Sequence, residues 1–551
     1  MERRVILAIV LMLIVAVVPS ILFPPKKPVG RTVGRSDNTA IPPVARAESA
    51  AAAERPSFNP TVRPSDRPAD TVWVTSPRYR FGFSTRGGAL VHAELLDFRS
   101  FAPSDSGRPV QLVPRGDAVL TSRLVGGGDT VRLADWSFAP NVAALRVEHD
   151  STRLTFVAER AGGGARVTLE YLFSPDDYRF QVAGHVAGLG PTGAVLVVGL
   201  GDGLKSVEAD SADDARHYAV VTKSSKTQST SFQSLKPGEA KVLDGPFEWI
   251  GVKSKYFLVA ALALEDPRPK FAGSIAVGGA RSGGGHATPR AAVSVTLPVP
   301  SAGDFRYDVY AGPLEYRRLA RIGHDLDDAN PYGGFLRSVI QPVSNLVVNI
   351  LLWMHEQLHL AYGWVLVIFG ILVRVLLWPL NQRAMESSIR MQGAAPLIKT
   401  TQEKYKDEPE RLQREMMKIY REHQVNPLGG CLPMLLPMPV LFALFFVFAN
   451  TIEFRGVPFL WLPDLSRADP YYIIPLMMGL SMFVLSKVGQ IGVPPNPQST
   501  TMLYFMPIFM TVLFLRFASG LNLYYAVSNI FSIPQQYRIA QRRLRQQGRQ
   551  T

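Results

Sequence analysis

The chain has 551 residues, 47% of them hydrophobic, with a mean hydropathy of +0.08 and a formal net charge of +14. This hydropathy is too high for a fully soluble protein and too low for a chain that lies entirely in a membrane. It therefore predicts a soluble domain joined to a bundle of transmembrane helices. The single cysteine, Cys431, excludes an intramolecular disulfide and any CxxC metal or redox motif.

The N-terminal residues predict a membrane anchor followed by a tether. Arg3 and Arg4 precede an apolar run over residues 5–23, which is longer than the ~7–15 residues of a signal-peptide core. We expect residues 1–23 to be a retained transmembrane anchor with a cytoplasmic N-terminus, because basic residues stay on that side. Residues 24–70 are rich in proline and alanine and poor in aromatic residues, so they predict a disordered linker.

Residues 71–330 predict an all-β sandwich domain in the periplasm. Short runs of alternating polar and apolar residues, such as 153–157 and 165–173, are separated by glycine and proline. This pattern is typical of strands that bury one face. Residues 313–328 have apolar residues at helical spacing and predict one closing helix. The histidines of this region lack the spacing of metal ligands, so we expect no catalytic constellation there.

The rest of the chain predicts a membrane α-helical bundle. Residues 331–360 form an amphipathic helix along the membrane surface, and residues 361–539 form a core of five spans. The predicted spans are residues 361–380, 431–450, 471–487, 501–517 and 521–539. Residues 384–423 predict a charged helical hairpin between the first two of these spans. Residues 540–551 form a basic tail suited to anionic lipid or to a polyanion such as RNA.

Charge predicts the orientation of the spans. The loop at residues 381–430 is rich in lysine and arginine and should be cytoplasmic, as should the basic tail. In the loop at residues 451–470, the acidic Glu453, Asp464 and Asp469 outweigh the arginines, so this loop should lie outside. Both termini are then cytoplasmic and the large domain is periplasmic.

Arg374 stands out because it lies inside the apolar stretch of residues 363–380. Moving a guanidinium toward the hydrocarbon centre costs at least ~3 kcal/mol, so such a charge is usually retained for a function. The alternative is that Arg374 lies only roughly 8 Å from Pro379 along the helix and extends its side chain to the headgroups. The composition of this span leaves both interpretations open.

Several short motifs occur in a fixed order along the chain. They are residues 85–88 (TRGG), Arg374 with residues 378–380 (WPL), residues 425–433 (VNPLGGCLP), 438–439 (MP), 468–475 (ADPYYIIP), 505–507 (FMP), 519–521 (SGL), 523–525 (LYY) and 528–529 (SN). In their order and spacing they resemble the YidC membrane protein insertase family, in its bacterial form with a large periplasmic domain. The resemblance covers essentially the whole chain.

The resemblance implies an inner-membrane insertase and chaperone that is not an enzyme and uses no nucleotide, metal or other cofactor. Its five spans would enclose a polar groove open to the cytoplasm and to lipid. The residues implied to contact substrate are Arg374, Met438, Leu441, Leu513 and Tyr525. The implied partners are nascent membrane proteins, the ribosome and anionic lipid, with or without the Sec translocon and with no specific nucleic-acid target. Pro437 and Gly370 depart from the usual residues of the family.

Two other functions compete with this interpretation. Residues 355–359 spell HExxH, in which His355 and His359 on one helix face could hold zinc while Glu356 acts as a base, as in a membrane metalloprotease. The sequence offers no obvious third ligand. A channel or secondary transporter built around Arg374 is the other alternative, but such transporters commonly show internal repeats, and this chain has none that we detect.

Overall fold

The structure of the chain is a computed structural model. It describes residues 70–159, 165–189, 192–265, 269–279, 289–332, 337–406, 408–422, 438–492 and 497–547. The predicted anchor, nearly all of the linker, the motif at 425–433 and the end of the basic tail lie outside the described residues. The chain divides into two compact units. The first comprises Met1–Ala212, Phe232–Val252 and Val259–Ala311, and the second comprises Asp213–Ser231, Lys253–Leu258 and Gly312–Thr551.

The β-rich part of the chain contains many short strands, as the alternating pattern predicts. They are β1 (Thr71–Thr75), β2 (Tyr79–Ser84), β3 (Leu90–Arg99), β4 (Pro109–Gln111), β5 (Thr121–Gly126), β6 (Asp129–Arg132), β7 (Ala139–Pro140), β8 (Ala144–Arg146), β9 (Thr152–Glu159), β10 (Arg166–Phe173), β11 (Arg179–Ala187), β12 (Ala194–Gly199), β13 (Ala219–Lys223), β14 (Thr227–Ser231), β15 (Ala240–Phe247), β16 (Trp249–Lys253), β17 (Phe257–Leu262), β18 (Phe271–Gly278), β19 (Ala291–Val299) and β20 (Asp304–Pro313).

The first unit is built from three sheets. One has the order β4-β3-β2-β1-β8, a second has the order β15-β18-β19-β12-β5-β6, and a larger sheet runs β7-β9-β10-β11-β20-β17-β16 within this unit. Neighbouring strands are mostly antiparallel, whereas β1 and β8 are parallel. In β10 the burial alternates along the strand, because successive side chains point to opposite faces of a sheet.

Aromatic side chains fill the space between these sheets. Phe83 of β2 lies with its ring 4.7 Å from Tyr171 and 5.6 Å from Phe173, both on β10. On another sheet pair, Phe271 of β18 lies 6.2 Å from Tyr307 of β20. All five side chains are buried. Sheets therefore pack face to face around an apolar core, which is the predicted all-β sandwich.

The remaining elements are helices. They are α1 (Ser211–Ala215), α2 (Tyr316–Ile322), α3 (Arg337–Leu358), α4 (Tyr362–Lys404), α5 (Pro409–Glu422), α6 (Met438–Asn450), α7 (Ile473–Gly489), α8 (Pro497–Phe514) and α9 (Ser519–Gln547). Helix α4 continues from the first predicted span of the core into the first arm of the predicted hairpin, and α5 is the second arm. The predicted surface helix corresponds to α3.

The closing segment of the sandwich, residues 313–332, differs from the single helix predicted over residues 313–328. It contains α2 and, after a break, a short 3-10 helix at Leu326–Ala329. Gly323, His324 and Asp325 adopt φ values of 82°, 56° and 53° at the break. Left-handed backbone cannot continue a right-handed helix. The helix is therefore interrupted here, although apolar residues continue at helical spacing.

Helices α3, α4, α6, α7 and α9 share one apolar core. Leu351 of α3, Leu366 of α4, Leu444 of α6, Met478 of α7 and Leu521 of α9 are all buried in it. The helices approach closely where small residues permit it. A Cβ atom on Gly479 of α7 would overlap Oγ1 of Thr511 on α8. Small residues at such crossings bring helix backbones together, as in membrane helix bundles.

The outward surface of the bundle is apolar. Leu480 of α7 is 64% exposed and Ile508 of α8 is 66% exposed, which is what a surface facing hydrocarbon requires. Among the described residues, Tyr362–Pro379 is long and apolar enough to cross a membrane. Shorter apolar helices lie at Met438–Asn450, Ile473–Gly489 and Leu503–Phe514.

Candidate functional site

Arg374 lies on α4 with its side chain directed toward α9. Its Nε donates hydrogen bonds to the Oγ of Ser528 at 2.9 Å and to the carbonyl oxygen of Ser528 at 3.2 Å. The side chain is partly buried. Within the part of the chain that the structure describes, no carboxylate forms an ion pair with it. The guanidinium is thus held by a hydroxyl and a carbonyl dipole, and its charge is left uncompensated by an acid.

A polar strip along α9 faces this arginine. Ser528, Ser532 and Gln535 follow one another at steps of four and three residues, so they share one helix face, and all three are buried. Ser532 donates to the carbonyl of Ser528 at 2.6 Å, and Gln535 donates to the carbonyl of Trp378 at 3.3 Å. The bonds of Arg374 to Ser528 and of Gln535 to Trp378, one turn apart on α4 and two turns apart on α9, therefore join the two helices.

The strip continues to α7 through Asn529, whose amide donates to the Oγ of Ser481 at 3.3 Å. Gly370, one turn before Arg374, faces α9, and a Cβ atom there would be in ordinary van der Waals contact with that helix, 3.4 Å from the Tyr524 ring. The predicted departure from the family at Gly370 therefore falls at this contact between α4 and α9.

Sequence reasoning missed Ser528, Ser532 and Gln535 as parts of the site. Their signal was available, since hydroxyl and amide side chains recur on one face of the otherwise apolar residues 521–539. The spacing within α9 indicates a polar face, but it does not identify Arg374 on another helix as the contact of that face.

The other predicted substrate-contacting residues lie among the helices of the core. Leu441, Leu513 and Tyr525 are partly buried and pack against the shared apolar core. The Tyr525 ring lies 5.5 Å from that of Phe514. Met438 is partly exposed in the first turn of α6. Their contact with substrate stays a prediction.

The HExxH residues do not adopt the arrangement of a zinc site. Helix α3 ends at Leu358, and His359 has a φ of 52°, so the two histidines do not lie one turn apart on a helix. The Nδ1 of His355 lies 2.7 Å from the Leu360 carbonyl oxygen, and Glu356 forms an ion pair with Arg317. In the described residues, no three His, Cys, Asp or Glu side chains cluster to hold a metal ion.

Comparisons with known proteins decide the family. The model of the YidC periplasmic domain matches residues 71–345, and that of the 60Kd inner membrane protein matches residues 353–547. The membrane protein insertase YidC of Syntrophus aciditrophicus is 30% identical over 98% of this chain and 99% of its own length. The chain belongs to the YidC membrane protein insertase family. YidC of Oleidesulfovibrio alaskensis is 31% identical over 97% of this chain and 98% of its own.

A solved YidC insertase with its first transmembrane domain resolved is also similar. It is 17% identical to this chain, covers 86% of it and 93% of the solved chain, and has a TM-score of 0.34.

Membership of the YidC family confirms the predicted fold class, a membrane α-helical bundle with an all-β periplasmic sandwich. It also confirms the predicted function. The protein is a membrane protein insertase of the inner membrane, and its substrates are nascent membrane proteins. The metalloprotease and the transporter are therefore set aside.

Proposed function

We propose that Arg374 is the substrate-facing charge of an insertion groove formed by the helices of the core. The observation that carries this proposal is the bonding of its guanidinium, which Ser528 holds by hydrogen bonds while no carboxylate among the described residues neutralises it. A charge inside an apolar membrane span without a counter-ion is costly. It becomes useful when a polar or acidic segment of a nascent protein enters beside it.

Insertion of a segment into the membrane does not require a chemical step. The charge and the hydroxyl strip of α9 lower the barrier for moving a short polar segment part way across the membrane. Transfer of about 20 apolar residues into lipid then supplies the driving force. We infer that the protein acts as an insertase and chaperone without covalent catalysis, nucleotide or metal.

The apolar side of the groove comprises Met438, Leu441, Leu513 and Tyr525. Leu441, Leu513 and Tyr525 border the shared apolar core from partly exposed positions. Methionine and aromatic side chains adapt to differing surfaces, which suits a site that receives many transmembrane helices. Substrate would leave between α6 and α8 as its apolar residues partition into lipid.

The topology that fits this groove has five spans within residues 361–539, an N-terminal anchor within 1–23, and both termini in the cytoplasm. The distribution of lysine and arginine supports it, because the α4–α5 hairpin is rich in these residues and the C-terminal tail carries arginines and no acid. On this orientation the hairpin and tail face the ribosome, and the tail arginines lie near anionic lipid. Insertion proceeds from the ribosome, alone or with the Sec translocon.

The test compares two substrates in vesicles that contain the purified full-length protein. One single-span substrate carries acidic residues in its short translocated segment, and the other carries neutral residues there. We expect Arg374→Ala to impair insertion of the acidic substrate selectively and Arg374→Lys to restore part of it. Arg516→Ala, which removes an exposed arginine elsewhere in the core, is the matched control. Equal insertion of both substrates by Arg374→Ala would refute the role of this charge.

A further inference from the structure

The loop that follows α6 is tied to the closing segment of the sandwich by polar contacts. The Asn330 amide donates to the Asn450 carbonyl at 2.6 Å, and the Tyr332 hydroxyl lies 3.1 Å from the Thr451 hydroxyl. The backbone N–H of Tyr316 donates to Oε1 of Glu453 at 2.9 Å. We call these six residues, Tyr316, Asn330, Tyr332, Asn450, Thr451 and Glu453, the polar joint.

The polar joint lies wholly within the second compact unit. It nevertheless connects residues from both parts that the family models recognise, since Asn330 belongs to the periplasmic match and Asn450 to the helical match. The amide of Asn330 is the central link. It accepts a hydrogen bond from the buried amine of Lys253 and satisfies a carbonyl at the C-terminal end of α6, where helix carbonyls have no partner within the helix.

Glu453 acts as a helix cap supplied from a distant part of the chain. The residue that precedes α2, Glu315, makes no side-chain capping bond to that helix, so the carboxylate of Glu453 accepts from its first N–H instead. The other oxygen, Oε2, is shielded from solvent and has no hydrogen-bond partner among the described residues. An ionised carboxylate would be poorly solvated there, so the geometry favours the neutral acid.

Resting on the proposed function, we propose that the polar joint positions the insertion groove, with Asn330 and Glu453 as its positioning residues. Helix α6 carries Met438 and Leu441 near its start and ends at Asn450. A helix of 13 residues is about 20 Å long and nearly rigid. Fixing its end at Asn450, together with the packing of Leu444 and Val447 in the shared apolar core, therefore sets the direction from which its first residues face the groove.

The joint responds to pH because Glu453 is shielded from water. Burial raises the pKa of Glu453 from 4.5 to about 7. The charged and titratable groups that face it are Glu315, Arg317, Tyr332 and Tyr362. A carboxyl with a raised pKa stabilises the closed joint below about pH 4.5, and this contribution is lost as pH rises toward 7. Opening should therefore increase over this range and level off above it.

Two basic groups, Lys253 and His217, change the stability of the joint with pH in the direction opposite to Glu453. Burial lowers the pKa of Lys253 to about 7 and that of His217 to about 4, and buried bases are better tolerated as pH rises. The contribution of Glu453 is isolated by comparison with Glu453→Gln. Glutamine keeps the acceptor for the Tyr316 N–H but cannot ionise.

The decisive measurement is hydrogen–deuterium exchange of the α2 amides in the full-length protein in lipid nanodiscs between pH 5 and pH 8. After correction for intrinsic exchange rates, the equilibrium constant for opening of the polar joint is compared between the wild type and Glu453→Gln. The ratio of the wild-type value to that of Glu453→Gln should rise by at most about tenfold per pH unit up to pH 7. Glu315→Gln, which changes a neighbouring carboxylate that pairs with Arg318, should keep the pH dependence but displace it to lower pH, because the like charge of Glu315 helps to raise the pKa of Glu453. Identical pH profiles of the wild type and Glu453→Gln overturn the proposal.

Insertion provides the second readout. Asn330→Ala should reduce insertion of acidic and neutral substrates alike by severalfold, whereas Arg374→Ala distinguishes the two substrates. If the groove proposal fails, Arg374→Ala will not distinguish the two substrates, but Asn330→Ala should still reduce insertion of both. Folded Asn330→Ala protein with wild-type insertion would overturn the positioning role. The exchange measurement uses Glu453→Gln and not Asn330→Ala, so an Asn330→Ala protein that fails to fold does not remove the test.

Discussion

The contact between Arg374 and Ser528 can be measured by a double-mutant cycle. The variants are Arg374→Ala, Ser528→Ala and the double substitution, which together remove the 2.9 Å hydrogen bond to the serine hydroxyl. A hydrogen bond to a charged group contributes about 1.5–3 kcal/mol, whereas interhelical hydrogen bonds in a membrane average only ~0.6 kcal/mol. We expect a coupling energy above about 1.5 kcal/mol, because the donor is a guanidinium.

The assay is equilibrium unfolding of the purified variants in detergent micelles. The matched control is the neutral interhelical pair formed by Asn529 and Ser481, for which the cycle should give about 0.6 kcal/mol. The carbonyl of Ser528 still accepts from Arg374 in Ser528→Ala, so the cycle isolates the hydroxyl. A coupling energy no larger than that of the control pair would refute the bonding described for Arg374.

Three further predictions concern packing, pH and the HExxH residues. Gly479→Ala places a Cβ atom against Thr511, so it should destabilise the bundle by about 1–3 kcal/mol in thermal unfolding, and Thr511→Ala should recover part of the loss. The pKa of Lys253 falls from 10.5 to about 7, so the unfolded state binds the extra proton between these values. Unfolding free energy should rise by at most about 1.4 kcal/mol per pH unit there, and Lys253→Met should abolish the rise. Glu356→Gln breaks an exposed ion pair only, so reconstituted insertion should be unchanged, and zinc bound stoichiometrically to the wild type would contradict this.

Much of the architecture could be predicted from local pattern. Period-two alternation in residues such as 165–173 marks strands that bury one face, and it corresponds to β10. Apolar length marks membrane helices. Helix α7 follows its predicted span closely, and α4 begins at the start of the first predicted span but continues beyond its end to Lys404. The closing segment was predicted less well, because its apolar spacing carries no information about the left-handed residues at Gly323 to Asp325.

The candidate site, too, could be predicted only in part from the sequence. Arg374 could be selected from sequence, because a charge inside an apolar span is costly wherever it points. Its partner could not, because Ser528 is 154 positions away in the chain and serine is common in helices. The motif HExxH illustrates the converse, since its spacing suggests a zinc site that the end of α3 before His359 prevents.

By itself, the sequence determined the class of protein, the β-rich and membrane parts, and the unusual arginine. Hydropathy and periodicity are properties of neighbouring residues, so they can be evaluated without a fold. Only the tertiary structure decided which dipoles hold Arg374 and that Glu453 caps a helix in the closing segment. These contacts join residues distant in the chain, and they form because packing leaves each buried polar group few partners within reach.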